Sequence, residues 1–282
     1  MITLIIQGPA LTQDAVAEIA RRLGAQVEHC RRYARLHTAT LDPRQLMEVR
    51  QAFPLDINPL PPMFKPRDVK LVITDMDSTF INIECIDEIA DYAGIKPQIA
   101  AITEAAMRGE LDFPEALRRR VSLLTGLPVE ALERVYRERL MLNPGGERLI
   151  EQLKLRKIPI ALVSGGFTFF TEKLKQRYGL NHALANVLEV SDGKLTGRVL
   201  GEIVDAEQKA AFLRDLCVQR DIELRHTVAL GDGANDLIML RLAGLSVGYH
   251  AKPVVRAQVH AQLNYCGLDG VLGILDIDSD FP

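Results

Sequence analysis

Residues 69–79, VKLVITDMDST, decide the fold class, because an apolar run ends there in two aspartates. The run is rich in branched aliphatic side chains, which is typical of a buried strand in a parallel sheet. Side chains two residues apart in extended backbone point to the same side, so Asp75 and Asp77 are predicted to face one small volume. Two close carboxylates do not ionise together readily, which suits a nucleophile beside an acid. Taken alone, the pair also fits a turn or a helix cap.

Strand and helix patterns alternate through the rest of the chain, which predicts a doubly wound α/β domain with a parallel sheet over residues 69–282. Residues 84–139 carry helical signals only, so a helical cap is predicted to be inserted directly after the first strand. Asn143-Pro144 is predicted to begin the next helix, as its cap and first residue. The later predicted strands are IPIALVS (158–164), two strands within 184–200, HTVALGD (226–232) and short strands near 245–249 and 262–266.

A separate unit precedes this domain. Residues 1–58 show the patterns of a small α+β domain, including a helix that begins at Asp42-Pro43. Within it, the segment VEHCRRYARLHTATL is predicted to form one strand or a hairpin. Four prolines within residues 59–68 remove backbone donors and restrict φ, so this segment is predicted to be an extended linker.

Two more polar clusters follow predicted strands, SGG at 164–166 and GDGAND at 231–236. Ligands of parallel sheets bind at the carboxyl ends of the strands, so these clusters are predicted to meet Asp75 at one rim. Glycines let backbone N–H groups approach an anion, and the carboxylates of Asp232 and Asp236 suit Mg²⁺. Each cluster alone fits a tight turn, but the three together indicate a site for phosphate and Mg²⁺.

The charge at this rim predicts a further cation. Asp75, Asp232 and Asp236 carry three negative charges and Mg²⁺ cancels two, so a phosphate dianion needs another positive group. Lys209 lies in the first turns of a predicted helix capped by Asp205, where it is well placed to be that group. By itself, Lys209 reads as an ordinary solvated lysine on a helix.

The ordered motifs DMDST, SGG, a lysine and GDGAND resemble those of the haloacid dehalogenase superfamily of phosphotransferases. More narrowly, DMDSTFINIECIDEIA with its helical insertion resembles the phosphoserine phosphatase family, over about residues 67 to 275. The resemblance implies Mg²⁺-dependent hydrolysis of O-phospho-L-serine to L-serine and phosphate, the final step of serine biosynthesis. It implies that Asp75 forms an aspartyl-phosphate, while Asp77 protonates the departing serine oxygen and then deprotonates the attacking water.

The resemblance also implies how the metal and the phosphate are held. Mg²⁺ would be bound by the carboxylates of Asp75 and Asp232 and by the backbone carbonyl of Asp77. Asp236 would support Lys209 or the metal without being a main ligand. The groups implied to contact phosphate or substrate are Ser164, the Gly165 N–H, Lys209 and Asn235.

The cap is implied to act as a lid that excludes water and selects the leaving group. Glu84 would bind the substrate ammonium and Arg120 its carboxylate, with Met107 and Phe113 as apolar shields. Without the resemblance, Arg120 reads as part of a solvated helix face with its two preceding arginines. Met107 and Phe113 then read as cap core.

Two alternatives remain open. An enzyme of this kind could act on a related phosphorylated amino acid or small amine, or transfer the phosphoryl group to a second alcohol, and Glu84 and Arg120 do not decide between these. A receiver-like signalling module that keeps its aspartyl-phosphate would also need an acceptor aspartate, metal carboxylates and a lysine. Asp77 and the cap favour the enzyme, because a receiver needs neither.

The N-terminal unit, residues 1–58, carries no chemical motif of its own. Its pattern resembles the ACT-like amino-acid-sensing modules that are attached to such phosphatases. Three roles therefore remain open for it: sensing of serine, formation of a homodimer, and packing against the second domain.

Composition and charge exclude several other classes. The formal net charge of −3 gives no overall positive field for nucleic acid or anionic membrane, so the predicted partner is a small molecule. No stretch approaches the roughly 20 apolar residues that a membrane span needs. The four cysteines are widely spaced and the N-terminus lacks a signal-peptide pattern, which predicts a reduced, cytoplasmic chain.

Overall fold

The computed structural model describes residues 1–277, so residues 278–282 of the predicted second domain lie outside the described residues. The strands are β1 Ile2–Gln7, β2 Gln26–His29, β3 Tyr33–Thr38, β4 Asp56–Pro59, β5 Leu71–Asp75, β6 Ile160–Phe167, β7 His182–Ser191, β8 Lys194–Leu200, β9 Thr227–Gly231, β10 Leu245–Tyr249 and β11 Ala261–Leu263. The helices are α1 Gln13–Leu23, α2 Pro43–Ala52, α3 Cys85–Tyr92, α4 Lys96–Met107, α5 Phe113–Ser122, α6 Glu130–Glu138, α7 Gly146–Leu155, α8 Thr168–Tyr178, α9 Ala206–Gln219, α10 Leu237–Leu242, α11 Pro253–Arg256 and α12 Gly270–Ile274. Within residues 1–277, no helix has both the length and the apolar character needed to cross a membrane.

The larger sheet has seven strands in the order β11-β10-β9-β5-β6-β7-β8. All neighbours are parallel except β7 and β8, which form an antiparallel hairpin. Strand β5 lies at the centre, and its side chains alternate between two cores: Val72 packs in the core that includes Phe170 of α8, while Ile73 packs in the core that includes Leu213 of α9. Helices thus cover both faces, and the predicted doubly wound α/β fold is confirmed.

The helical cap, α3 to α6, leaves the sheet domain after β5 and returns before α7. The two connecting segments meet where Ile81 pairs with Leu142, so the cap is joined to the sheet by a narrow double-stranded neck. A second contact joins Pro128 of the cap to Lys194 at the tip of the β7–β8 hairpin. The neck places the first residues of the cap next to the carboxyl end of β5.

The prediction that Asn143-Pro144 begins a helix is wrong. The Asn143 amide donates to the carbonyls of Thr79 at 2.8 Å and Ile81 at 3.0 Å, so this side chain holds the cap neck instead of capping a helix. Gly145 then turns the chain with φ of 79°, and α7 begins at Gly146.

The smaller sheet, in the order β2-β3-β1-β4, is antiparallel and packs against α1 and α2. Its helix α2 begins at Pro43, with the Asp42 carboxylate accepting the Arg44 N–H at 2.8 Å, as predicted. The segment VEHCRRYARLHTATL, predicted to form either one strand or a hairpin, contributes to the β2–β3 hairpin. An N-terminal α+β unit is therefore present, while its predicted limits at residues 58 and 68 stay predictions.

Strand β4 ties the smaller sheet to the edge of the larger one. The buried Asp56 carboxylate accepts the backbone N–H groups of Asn264 at 2.7 Å and Cys266 at 2.9 Å. Asn58, also buried, donates to the Gln262 carbonyl at 2.8 Å and accepts the Gln262 N–H at 2.9 Å. These bonds satisfy backbone groups of Gln262 in β11 and of the residues that follow it, at the edge of the larger sheet.

We expect Asp56→Ala to lower the free energy of unfolding by about 3 kcal/mol, because several partly buried N–H donors lose their charged acceptor. Urea denaturation monitored by circular dichroism measures this loss. The control is Asp215→Ala on the exposed side of α9, which is expected to change stability by less than about 0.5 kcal/mol. Equal stabilities of the two variants would contradict the assigned role of Asp56.

Candidate active site

Three neighbouring strand ends bring the predicted polar clusters together. In the register of the sheet, Asp75 at the end of β5 lies beside Val163 of β6, directly before Ser164. On its other side, β5 pairs with β9, which ends directly before Asp232. The clusters are also bonded to each other, because Ser164 Oγ donates to Asp77 Oδ2 at 2.9 Å. Parallel strand order therefore creates one shared site.

Asp75 and Asp77 reach this site through a tight turn. The strand ends at Asp75, and the backbone turns over Met76–Phe80, with Ser78 in the left-handed region at φ of 57°. Asp75 is buried and forms an ion pair with Lys209. Asp77 is bonded to other groups, because its Oδ1 accepts the Cys85 N–H at 2.8 Å. The two carboxylates thus have different partners, which suits different chemical roles.

Lys209 is the cation of the site. Its ammonium lies between Asp75 and Asp236 Oδ1, the latter at 2.8 Å, and its side chain is 1% exposed. Burial alone would lower the pKa of Lys209, but the Asp236 and Asp75 carboxylates outweigh burial and raise this pKa above its usual value. Lys209 is therefore a permanent positive charge beside Asp75.

Asp236 organises the loop that follows β9. Its second oxygen, Oδ2, accepts the backbone N–H groups of Asp232 at 3.2 Å and Gly233 at 3.1 Å. A Cβ at Gly231 would lie 2.6 Å from the Asp236 Cβ, so only glycine permits this arrangement. Because both of its oxygens are bonded, Asp236 supports Lys209 and the loop, and Asp75 and Asp232 are left as the better ligands for a cation.

The acidic cluster fits a metal ion. Carboxylate oxygens of Asp75, Asp232 and Asp236 lie within 4.8 Å of one another. Removal from water, followed by the Asp236 charge, raises the pKa of both Asp75 and Asp232, although nearby lysines counteract this rise. A set of oxygen donors with excess negative charge suits a hard divalent cation.

The SGG segment, residues 164–166, lies within β6, at the point where the register with β7 shifts between Val163 and Phe167. Ser164 Oγ accepts the Gly166 N–H at 2.7 Å while it donates to Asp77. A Cβ at Gly166 would lie 2.7 Å from Asp77 Oδ2, and one at Gly165 would lie 2.8 Å from the Phe113 ring of the cap. A side chain at either glycine would therefore have to displace one of these neighbours, and the Phe113 ring lies against Gly165.

Two charged cap residues face the acidic site. Arg120 is half-buried, and burial lowers the pKa of its guanidinium group. The negative charges of Asp87, Glu84 and Asp77, in decreasing order, counteract this lowering. The Ser78 hydroxyl donates to Glu84 Oε1 at 2.6 Å, which brings the Glu84 carboxyl group to the turn after β5. Partial removal from water there, together with the Asp77 charge, raises the pKa of Glu84 to about 7.

Two predicted site residues are not packed into the site. Met107, at the end of α4, is 79% exposed, so it does not belong to the core of the cap. Its contact with substrate stays a prediction. Asn235 is exposed on the loop after β9, so its contact with substrate or phosphate also stays a prediction.

Three residues near the site were not predicted from sequence. Thr79 donates to Asp232 Oδ1 at 3.3 Å, the Cys85 N–H bonds to Asp77, and the buried Asn186 of β7 donates to the Gly165 carbonyl at 2.8 Å. The one available signal was Asn186 itself, a polar residue within the otherwise apolar run ALANVL, residues 183–188.

Comparisons with known proteins agree with this geometry. The family model of haloacid dehalogenase-like hydrolases matches residues 72–241. A phosphoserine phosphatase of a Polaromonas species is 51% identical over 226 residues, which cover 78% of this chain and 96% of that protein. A crystal structure of a probable phosphoserine phosphatase from Vibrio cholerae has a TM-score of 0.86 at 38% identity, covering 98% of this chain and 87% of that one.

A further solved structure is described as a phospho-aspartyl intermediate analogue of phosphoserine phosphatase. It has a TM-score of 0.68 at 42% identity and covers 73% of this chain and 98% of its own. The chain therefore belongs to the haloacid dehalogenase-like hydrolases and, within them, to the phosphoserine phosphatase family.

Proposed function

We propose that the protein hydrolyses O-phospho-L-serine to L-serine and phosphate through an aspartyl-phosphate on Asp75, as the final step of serine biosynthesis. The observation that carries the proposal is the buried Asp75 carboxylate, which is paired with Lys209, while Asp77 two residues later is bonded separately to Cys85 and Ser164. The names of the relatives support the substrate.

In the first step, the Asp75 carboxylate attacks phosphorus and the bond from phosphorus to the serine oxygen breaks. Asp77 gives its proton to that oxygen, so serine leaves as a neutral alcohol. Burial raises the pKa of Asp77, against the bonds from the Cys85 N–H and Ser164, which lets this carboxyl group hold the proton it must donate.

In the second step, Asp77 accepts a proton from water as the water oxygen attacks phosphorus. The bond from phosphorus to Asp75 breaks, phosphate leaves, and both aspartates return to their starting states. Lys209 stays charged throughout and stabilises the negative charge that develops on the phosphoryl oxygens. The related structure described as a phospho-aspartyl intermediate analogue supports this scheme.

The cofactor in this proposal is Mg²⁺. Asp75 and Asp232 would hold it with their carboxylates and Asp77 with its backbone carbonyl, which matches the oxygen donors and excess negative charge of the cluster. When bound, the ion neutralises charge between nucleophile and phosphoryl group.

Substrate selection is assigned to the cap. Glu84 would pair with the ammonium and Arg120 with the carboxylate of phosphoserine. The Phe113 ring lies against Gly165 of the SGG segment. Ser164, the Gly165 N–H and Lys209 would bind the phosphoryl oxygens, with Met107 and Asn235 as contacts at the rim.

The raised pKa of Glu84 predicts a pH effect on substrate selection. Below about pH 7 the Glu84 carboxyl group takes up a proton, becomes neutral and no longer attracts an ammonium. We expect the ratio of kcat/KM for phosphoserine to kcat/KM for p-nitrophenyl phosphate, which has no ammonium, to fall as pH drops below 7. Glu84→Gln should give a low ratio that does not change with pH; a wild-type ratio that is flat between pH 5 and 8 would contradict the assignment.

Loss of Arg120 is expected to act on substrates with a carboxylate. Arg120→Ala should lower kcat/KM for phosphoserine roughly 30-fold, equivalent to about 2 kcal/mol of charged hydrogen bonding, and leave phosphoethanolamine nearly unaffected. The matched control is Arg119→Ala, because Arg119 is exposed and pairs with Glu115 at 2.7 Å. Equal losses for the two substrates, or equal cleavage of both by the wild type, would contradict this role.

A panel of phosphomonoesters tests the function as a whole. Phosphate release is measured with Mg²⁺ for phosphoserine, phosphothreonine, phosphoethanolamine and p-nitrophenyl phosphate, with and without an added alcohol acceptor. The proposal predicts the highest kcat/KM for phosphoserine and no transfer to the added alcohol. A higher kcat/KM for another ester would show that phosphoserine is not the preferred substrate. It would not contradict the proposed mechanism through Asp75.

A further inference from the structure

Asn186 is a buried polar residue of β7, beside the SGG segment of β6, and it is 1% exposed. Its amide group is bonded at both ends. The Nδ2 group donates to the Gly165 carbonyl at 2.8 Å, and Oδ1 accepts the Val204 N–H at 2.8 Å. Val204 directly precedes Asp205, the cap of the helix that carries Lys209. Asn186 thus joins the SGG segment of β6 to the start of α9.

The bond to Gly165 fixes a complete peptide plane. The Gly165 carbonyl and the Gly166 N–H belong to one peptide unit, and they point to opposite sides. The carbonyl is held by Asn186, and the N–H donates to Ser164 Oγ at 2.7 Å. Ser164 Oγ in turn donates to Asp77 Oδ2 at 2.9 Å. A continuous series of hydrogen bonds therefore runs from Val204 through Asn186 to Asp77.

We propose that Asn186 is a positioning residue for phosphoryl transfer, which holds Ser164 and Asp77 in register with the helix that carries Lys209. This inference rests on the proposed function, in which the SGG segment binds the phosphoryl oxygens and Asp77 acts as acid and base. Asn186 itself touches neither substrate nor the reacting atoms. It acts through the Gly165–Gly166 peptide.

Asparagine is the side chain that this place requires. It must donate to a carbonyl at one end and accept from an N–H at the other, and a short planar amide does both. An aspartate would keep the acceptor for Val204 but place a carboxylate oxygen against the Gly165 carbonyl oxygen. A serine would be too short to reach both partners. Either change lets the Gly165–Gly166 peptide rotate and misplaces the Ser164 hydroxyl.

The test compares Asn186→Asp and Asn186→Ser with Asn181→Asp in the full-length protein. Asn181 is a matched control on the same side of β6: its Oδ1 accepts the Ile160 N–H at 2.9 Å, at the opposite end of the strand, and an aspartate can still accept there. For each variant, kcat and KM for phosphoserine, the inhibition constant of inorganic phosphate, and the thermal unfolding midpoint are measured with Mg²⁺.

We expect both Asn186 variants to lose roughly 10- to 100-fold in kcat, and phosphate inhibition to weaken about tenfold, because misplacement by about 1 Å has effects of this size. The control should stay within about twofold of the wild type. A residue that only stabilises the fold would lower the unfolding midpoint without changing kcat or phosphate affinity of the folded protein, and that result would overturn the inference. If Asn186→Asp does not fold, Asn186→Ser decides by the same criteria.

Failure of the proposed function would be visible separately. All measurements are repeated with p-nitrophenyl phosphate. Its phosphoryl group would contact the same SGG segment, but its leaving group carries neither an ammonium nor a carboxylate. A wild type that cleaves p-nitrophenyl phosphate and not phosphoserine would refute the substrate, while the Asn186 variants would still be compared on the artificial ester.

Discussion

Asp75→Asn is expected to lower phosphoserine turnover at least about a thousandfold while phosphoserine still binds. An amide is a poor nucleophile, so no acyl phosphate forms at residue 75. The substrate contacts assigned to Glu84, Arg120 and Lys209 remain in this variant. The protein should stay folded, because Lys209 keeps its ion pair with Asp236 and one of three crowded carboxylates is removed.

Two measurements on purified Asp75→Asn check this result. Phosphate release gives kcat, and titration calorimetry with Mg²⁺ gives the dissociation constant of phosphoserine. The control is Asp68→Asn, an exposed aspartate just before the other end of β5, which should behave as the wild type. Turnover within about tenfold of the wild type would remove Asp75 from its assigned role.

The second large effect is expected from Asp77→Asn. An asparagine can neither protonate the departing serine oxygen nor accept a proton from water, so both steps should slow by roughly 100- to 10,000-fold. With p-nitrophenyl phosphate the first step needs no acid, because nitrophenolate leaves unaided. We therefore expect one rapid equivalent of nitrophenol per active site, followed by very slow turnover as the acyl phosphate persists.

Stopped-flow absorbance distinguishes the two steps. The amplitude of the rapid phase should match the enzyme concentration for Asp77→Asn, while Asp68→Asn should follow the wild-type time course. A slow linear release with no rapid phase would mean that Asp77 is needed for the first step even with a good leaving group. Unchanged turnover of phosphoserine would contradict the acid and base role altogether.

The parts of this site that follow strand ends could be predicted from sequence. Buried strands have a strong local pattern, and polar residues at or directly after the ends of the predicted strands, such as Asp75, Ser164 and Asp232, must lie at one edge of a parallel sheet. Lys209 was found by a charge argument, because three carboxylates and a phosphate require a cation. The structure adds that Asp236 is bonded at both oxygens and supports Lys209.

The parts that depend on contacts between distant segments could not be predicted in this way. Asn143 has the local signature of a helix cap, yet its amide is taken by a carbonyl 64 residues earlier in the chain. The role of Asn186 depends on which strand lies beside β6, and sequence order alone does not give that neighbour. The exposure of Met107 depends on how the cap helices pack. Local patterns do not contain this information.

Direct detection of the acyl phosphate tests whether the phosphoryl group is transferred to Asp75. Wild-type protein is mixed with Mg²⁺ and radiolabelled phosphoserine, quenched in acid during turnover, digested and mapped by mass spectrometry. Label is expected on the peptide that contains Asp75, where hydroxylamine should release it, and no label is expected in Asp75→Asn. Active enzyme with no protein-bound label, or with label on another residue, would contradict transfer to Asp75.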